Sequence, residues 1–271
     1  MGKLLDSIRE HDVEFMAKQK VFFVATAPLS PHHRVNVSPK APGTSLVVLS
    51  PHKVAYLDLT GSGSETAAHL AENGRMTILF CHLEEGPPRL MRLHGTAQVL
   101  LKEKADADLL SKFPPSLTSH PGFRAIYVMD VDRISSSCGY SMPIFNSFDR
   151  YRTKLDDWCE NKGAEGIADY SLTKNSFSID GMPSLAVLKS QQGSSQYRIN
   201  PKPTDGYIHG EKAPPNRLLS MVLNLQHDIS HQLFVRNYGL SMFLCGMATA
   251  CVLQGFIMSS QQWNGGAINE L

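Results

Sequence analysis

The sequence predicts a mainly β protein with flanking helices, and two observations favour this class. Segments rich in β-branched and aromatic residues are short and are separated by tight turns, which is typical of strands that follow one another directly. The regular alternation of strand and helix that builds a parallel, Rossmann-type sheet is missing. A closed or split antiparallel barrel therefore fits the order of elements better than a doubly wound sheet.

The strands are predicted from apolar runs and from alternation of apolar with polar side chains. They cover residues 21–27, 35–38, 46–49, 54–59, 76–80, 89–101 and 125–134. The segment 35–38 alternates, as expected of a strand with one wet face, and Pro39, Pro42 and Gly43 are expected to end it. The turn at Ser50-Pro51 is expected to join the third and fourth strands.

The helices are predicted at the margins of these strands. They cover residues 6–18, 65–73, 105–112, 148–162 and 165–175. Asp6 is expected to cap the first helix, and Gly74 is expected to end the second.

Composition and charge exclude several classes of protein. The formal net charge is +1, so the broad basic field of a dedicated nucleic-acid binder is absent. The five cysteines form no CxxC pair, which argues against a zinc site or a disulfide framework and predicts reduced thiols. No metal site is expected. The N-terminal residues become charged at once, so no signal peptide is expected and secretion is not predicted.

Two groups of polar residues lie where a binding site could form. Asn36, Ser38 and Lys40 are offset by two, so in a strand they project from one side. The run 60–66, which contains Thr60, Ser62, Ser64 and Thr66, opens a predicted helix. Hydroxyls together with the free N–H groups of a helix N-terminus make a cradle for an anion. Each group also has a plain reading, as a solvated strand face and as an ordinary helix cap.

A third feature is an arginine in the strand that follows Pro87 and Pro88. Arg92 shares one face with Leu90 and His94 by alternation. A guanidinium there could meet a phosphate or a flavin oxygen, or it could simply be solvated.

Together these segments resemble the pyridoxamine 5′-phosphate oxidase-like flavoproteins. The resemblance is carried by residues 35–40, 57–70, 72–75, 87–95, 137–143 and 174–183, and it spans residues 10–185. It implies a six-stranded antiparallel split barrel that forms a homodimer, with FMN at the subunit interface.

The resemblance also implies which residues contact the cofactor, although it names no catalytic residue. Asn36, Ser38 and Lys40 would lie along the flavin-contacting strand. The phosphate end would be lined by Thr60, Ser62, Ser64 and Thr66, and Arg92 would fall near the edge of the isoalloxazine ring.

Three departures from the family pattern bear on activity. Pyridoxamine phosphate oxidases place a basic pair where this chain has Glu65 and Thr66, and a glutamine where it has Leu90. Their substrate-holding segment with tryptophan and arginine has no match here. We therefore expect a flavin-dependent oxidoreductase of unknown substrate that does not oxidise pyridoxamine phosphate. The alternatives are a non-catalytic scaffold with weakened or lost flavin binding, and a protein of a related cofactor such as haem or a deazaflavin.

The chain is predicted to divide into three parts. Residues 1–185 form the barrel domain, residues 186–217 a linker rich in Gln, Ser, Pro and Gly, and residues 218–271 a helical C-terminal segment. Within the last part, residues 240–258 carry no charge. As a helix they would reach roughly 28 Å, close to the thickness of a bilayer core. They are a candidate membrane span that would keep the barrel on the cytosolic side; the alternative is a packed apolar helix.

Overall fold

The computed structural model of the protein describes residues 2–191. In this part of the chain, eight strands form one antiparallel sheet and helices lie around it. The strands are β1 (Lys3–Leu5), β2 (Phe22–Thr26), β3 (Asn36–Lys40), β4 (Leu46–Ser50), β5 (Lys53–Leu59), β6 (Arg75–Cys81), β7 (Leu90–Leu101) and β8 (Phe123–Ser137). The helices are α1 (Glu10–Lys18), α2 (Glu65–Glu72), α3 (Ala107–Ser111), α4 (Pro115–Thr118), α5 (Lys154–Lys174) and α6 (Leu185–Gln191). The predicted class is confirmed.

The sheet has the order β3-β2-β6-β7-β8-β5-β4, and β1 pairs separately with β8. It is not closed, since β3 and β4 form its two free ends. The expectation of six strands is wrong. One strand that the sequence does not indicate is β1, whose three residues are too few to display a period of two.

Strand β3, predicted at residues 35–38, does not end at Pro39 as expected. β3 continues through Pro39 to Lys40 and pairs with β2 over its whole length. A proline is tolerated here because β3 is an edge strand, where a missing N–H does not interrupt a ladder on both sides. The extension matters because it carries Lys40 into the region of the site.

Two apolar clusters lie on opposite faces of β5 and β8. Tyr56 and Tyr127 belong to the larger cluster inside the curved sheet, whereas Leu57 and Ile126 belong to a smaller one packed against residues of α3 and α4. Because successive side chains of a strand point to opposite faces, β5 is buried on both sides. Asp58 comes next in this strand and is buried as well.

Two helix boundaries differ from the prediction. Asp6 does not cap the first helix, because α1 begins at Glu10 and the Asp12 carboxylate accepts the backbone N–H of Arg9. The two helices predicted over residues 148–175 are found as α5, which starts only at Lys154 and is broken at Gly163 by a left-handed backbone (φ 65°).

The structure bears on only part of the predicted domain organisation. α6 occupies residues 185–191, at the start of the segment predicted as a linker. Among the helices of residues 2–191, none combines the length and apolarity needed to cross a bilayer. The candidate span at 240–258, and the whole segment 218–271, lie outside the described residues.

Candidate functional site

A polar cavity of about 370 Å³ lies where β3, the end of β5 and the start of α2 meet. β5 ends at Leu59, and the glycine-containing stretch 60–64 then leads directly into α2. Lys40 lines one side of the cavity, while Arg124 and Tyr127 of β8 line another. The cavity therefore combines charged side chains with the backbone of a helix-opening loop.

A buried ion cluster forms the floor of this cavity. Asp58, only 2% exposed, accepts from Lys40 Nζ at 2.6 Å and from Arg124 Nε at 2.7 Å, so each carboxylate oxygen has a cationic partner. Lys40 Nζ also lies 5.9 Å from the centre of the Tyr56 ring. A buried charge is tolerated only when it is paired and hydrogen-bonded. Each of the three charges therefore depends on the other members of the cluster.

Arg124 also holds the loop that opens α2. Its two terminal nitrogens donate to the carbonyl oxygens of Gly61 at 3.0 Å and Gly63 at 2.9 Å. One of them also donates to Asn175 Oδ1 at 3.2 Å, and Asn175 Nδ2 donates back to the Gly61 carbonyl at 2.9 Å. The loop conformation therefore depends on a guanidinium from β8 and an amide from the end of α5.

Electrostatics keep this cluster charged. Burial alone would raise the pKa of Asp58, but the charges of Arg124 and Lys40 outweigh it and hold that pKa below its ordinary value. Burial raises the pKa of Tyr127 far above its usual range, and the Asp58 charge adds to this shift. Burial likewise raises the pKa of Tyr56, whose ring stacks on Tyr127 at 4.8 Å. Both tyrosines are therefore neutral, and the buried Tyr56 hydroxyl has no hydrogen-bond partner among the described residues.

The lowered pKa of Asp58 leads to a testable pH dependence of stability. The folded-state pKa lies below the unfolded value of about 3.9, so the carboxylate stabilises the fold above that pH and loses its contribution as the pH falls through the folded pKa. We expect the Tm of Asp58→Asn to be lower than that of the wild type at pH 7. Below about pH 4 we expect it to fall less steeply. Differential scanning fluorimetry from pH 7 to pH 3 measures both effects.

The control for this experiment is Asp130→Asn. Asp130 is an exposed carboxylate that pairs with Lys53 on the protein surface. Its removal should leave the acid slope of the Tm unchanged. Identical acid slopes for the wild type and Asp58→Asn would contradict the assigned role of Asp58.

Two of the predicted loop hydroxyls make internal hydrogen bonds, while Ser62 is exposed. Thr60 Oγ1 donates to the Gly122 carbonyl at 2.9 Å, and Ser64 Oγ donates to the Phe177 carbonyl at 3.3 Å. Thr60 and Ser64 therefore fix the loop and the chain around it.

The predicted residues of β3 connect to the first turn of α2. Asn36 Nδ2 donates to Thr66 Oγ1 at 3.2 Å, and Ser38 Oγ donates to Asn36 Oδ1 at 3.3 Å. Ser38 and Thr66 line the cavity together with Lys40, Thr60, Ser62 and Ser64. Asn36 contacts this group through Thr66.

The structure does not bring Arg92 to the cavity. It lies near the start of β7, between Leu79 of β6 and Ser135 of β8, and its neighbours Met91 and Leu93 are fully buried. By alternation its side chain points to the opposite face of the sheet from the core. A cofactor contact for Arg92 stays a prediction.

Glu65 occupies the N-terminus of α2 in a specific way. Its Oε2 accepts the backbone N–H of Ser64 at 3.1 Å, and its Oε1 accepts that of Ile179 at 3.2 Å. A carboxylate is favoured there because the first N–H groups of a helix lack partners and carry partial positive charge. The chain thus supplies its own anion at the position that a phosphate would prefer.

Sequence reasoning did not select Asp58, Arg124 or Asn175. Asp58 carries a signal in retrospect, because a carboxylate within the apolar run 54–59 is expected to be buried and therefore paired. Arg124 and Asn175 give no comparable signal, since they lie far along the sequence from Asp58 and from the loop whose carbonyls they hold.

These features define a mainly antiparallel β protein with a polar cavity at the opening of a helix. The family model of pyridoxamine 5′-phosphate oxidase matches residues 8–138. The pyridoxamine 5′-phosphate oxidase family protein ustO of Aspergillus flavus is 35% identical over 196 residues, which are 66% of this chain and 76% of that protein. The chain belongs to the pyridoxamine 5′-phosphate oxidase family.

Similarity to solved structures is weaker. HupZ from Group A Streptococcus is 21% identical, with a TM-score of 0.35, and the match covers 47% of this chain and 91% of that one. An FAD-binding protein from Mesorhizobium loti is 13% identical, with a TM-score of 0.33, and the match covers 50% and 96% of the two chains.

Proposed function

We propose that the protein binds FMN, with its phosphate in the cavity beside Lys40 and the start of α2, and that it is a flavin-dependent oxidoreductase. The observation that carries the proposal is the meeting of an ammonium group with a helix-opening loop in one cavity of a pyridoxamine 5′-phosphate oxidase family member. The bound flavin would supply the electron-accepting chemistry. We assign flavin binding to the domain predicted at residues 1–185. The linker and the C-terminal segment stay predictions.

The donors around the cavity suit a phosphate. Lys40, whose side chain is 19% exposed, offers an ammonium group. Ser38 and Ser62 offer hydroxyls. The first N–H groups of α2 add the partial positive charge of a helix N-terminus. In this proposal Lys40 and the loop bind and orient the phosphate, while Arg124 holds the loop in place.

Two carboxylates oppose a phosphate, and they differ in importance. Asp58 is neutralised by two cations, so the group of Lys40, Asp58 and Arg124 keeps one positive charge. Glu65 cancels that charge and already accepts the Ser64 N–H. A phosphate must therefore displace the Glu65 carboxylate, which weakens binding by competition and by like-charge repulsion.

The test of this proposal is the affinity of Glu65→Gln for FMN. Removing the competing charge while keeping the shape of the side chain is expected to tighten FMN binding by about 3- to 10-fold. Quenching of flavin fluorescence in a titration of purified protein measures the Kd. The matched control is Glu72→Gln, at the other end of α2, where the carboxylate accepts the backbone N–H of Leu29. Weaker FMN binding by Glu65→Gln than by Glu72→Gln would contradict this placement of the phosphate.

A second candidate function is a non-catalytic binding or scaffold protein that has weakened flavin affinity. The Glu65 carboxylate at the N-terminus of α2 is the observation that favours it. Absorbance of the purified protein in the flavin bands separates the two candidates, because a flavoenzyme retains stoichiometric flavin and a scaffold does not.

The proposal includes a homodimer. Val35 and Val37, at the free edge of the sheet, are 68% and 62% exposed, and Phe145 is 57% exposed. The two valines support an interface at this edge, because neighbouring apolar side chains form a patch, whereas a single exposed residue such as Phe145 does not.

A further inference from the structure

A polar segment, residues 175–184, lies across the N-terminus of α2; we call it the strap. It runs from the end of α5 to the start of α6. The Ser64 hydroxyl donates to the Phe177 carbonyl, and the Ser184 hydroxyl donates to the Ser64 carbonyl at 2.6 Å. The Ile179 N–H donates to Glu65. The strap therefore binds the N-terminus of α2, whose first residues also line the cavity.

The strap is buried through polar groups and also through two apolar side chains, Phe177 and Met182, which are 5% and 6% exposed. Its most buried residues include Asn175, Ser176, Ser178 and Ser184, each at most 2% exposed. It also closes on itself, since the Ser178 N–H donates to the Met182 carbonyl at 2.9 Å. The apolar side chains anchor the strap, whereas its contact with Glu65 is a single hydrogen bond from the Ile179 N–H, which can open at moderate cost because water replaces the lost partner.

Two side chains line the cavity and also contact the strap. Glu65 lines the cavity and accepts the Ile179 N–H, while Arg124 lines the cavity and donates to Asn175. A ligand that changes the position of Glu65 must therefore change the attachment of the strap. The other contacts of the strap, among them the ion pair between Asp180 and Arg34, do not involve the Glu65 side chain, so the change is expected around Ile179.

We propose that the strap is an autoinhibitory element: through the Ile179 N–H it holds the Glu65 carboxylate at the start of α2, and a phosphate-bearing ligand loosens the strap there by displacing that carboxylate. The inference rests on the proposed phosphate position and adds a regulation of that site. When phosphate oxygens take the N–H groups at the start of α2, Glu65 leaves both Ser64 and Ile179. Linkage makes the effect reciprocal, so a loosened strap favours the ligand to the same extent that the ligand loosens the strap.

The experiment is hydrogen–deuterium exchange, read by mass spectrometry on peptides that cover residues 175–184 of the full chain. The proteins are the wild type, Glu65→Gln and the matched control Glu72→Gln. Without ligand, Glu65→Gln is expected to raise exchange in the strap by about 3- to 10-fold, since a hydrogen bond to a charged group is lost. Glu72→Gln should exchange in the strap like the wild type. Equal strap exchange in all three proteins would overturn the proposal.

The ligand arm uses FMN, riboflavin and inorganic phosphate with the wild type. Faster exchange in the strap with FMN or with phosphate, and not with riboflavin, supports release by a phosphate group. If phosphate loosens the strap while FMN fails to bind, the proposed flavin function fails and the strap inference stands. FMN or phosphate that binds without change in the strap, or that slows its exchange, overturns the inference even if flavin binding is established. Failure of both probes to bind to the wild type and to Glu65→Gln also overturns it.

Discussion

Arg124→Ala is expected to lower the free energy of unfolding by about 3–5 kcal/mol, the range for breaking a buried ion pair by removing one partner. The guanidinium pairs with one oxygen of the Asp58 carboxylate and also donates to the carbonyls of Gly61 and Gly63. Its loss leaves buried acceptors without donors, which costs more than the bonds themselves contribute. Urea unfolding followed by circular dichroism measures the change.

Arg133→Ala is the matched control, because Arg133 is an exposed arginine of the same strand. It should change the free energy of unfolding by no more than about 0.5 kcal/mol. Arg124→Lys should fall between the two, since an ammonium can pair with Asp58 and cannot also reach both carbonyls in fork geometry. Equal stabilities of Arg124→Ala and Arg133→Ala would show that the buried cluster does not stabilise the fold.

Lys40→Met is expected to weaken FMN binding by about 10- to 100-fold, since a charge-assisted hydrogen bond to phosphate is lost. Methionine keeps most of the length of the lysine chain, so the cavity wall is retained. Asp58 keeps its contact with Arg124, and circular dichroism should show a folded protein. Isothermal titration calorimetry with FMN measures the Kd.

Lys53→Met is the control for the second experiment. Lys53 begins β5 and pairs with Asp130 on the surface, and it does not line the cavity. Its replacement should leave the FMN Kd unchanged. If Lys40→Met binds FMN as well as Lys53→Met does, the phosphate does not bind beside Lys40.

The sequence predicted the elements better than the contacts between them. Alternation and apolar runs depend on local spacing, so the strands containing Val24, Tyr56 and Ile78 were found close to their true bounds. The length of β3 was missed because a proline ends a central strand but not an edge strand, and edge position is a property of the folded sheet.

The site was predicted in part for the same reason. All five hydroxyl residues singled out from the sequence line the cavity, because they lie in two short stretches that the fold brings together. Arg124 and Asn175 are remote from those stretches in sequence, and several of their partners are carbonyl groups common to every residue. Resemblance to a family pointed to these two stretches, and only the structure showed that the Glu65 carboxylate occupies the start of α2.

The open sheet has a consequence for how molecules of this protein meet. Within residues 2–191, β3 and β4 end the main run of the open sheet, and each of these two edges could add a strand from another copy, and then another, without limit. Both edges carry an interruption: Pro39 removes a donor from β3, and the β4–β5 ladder shifts register between Val48 and Ser50. Repeated strand addition, the route to amyloid-like fibres, is thereby opposed at each end.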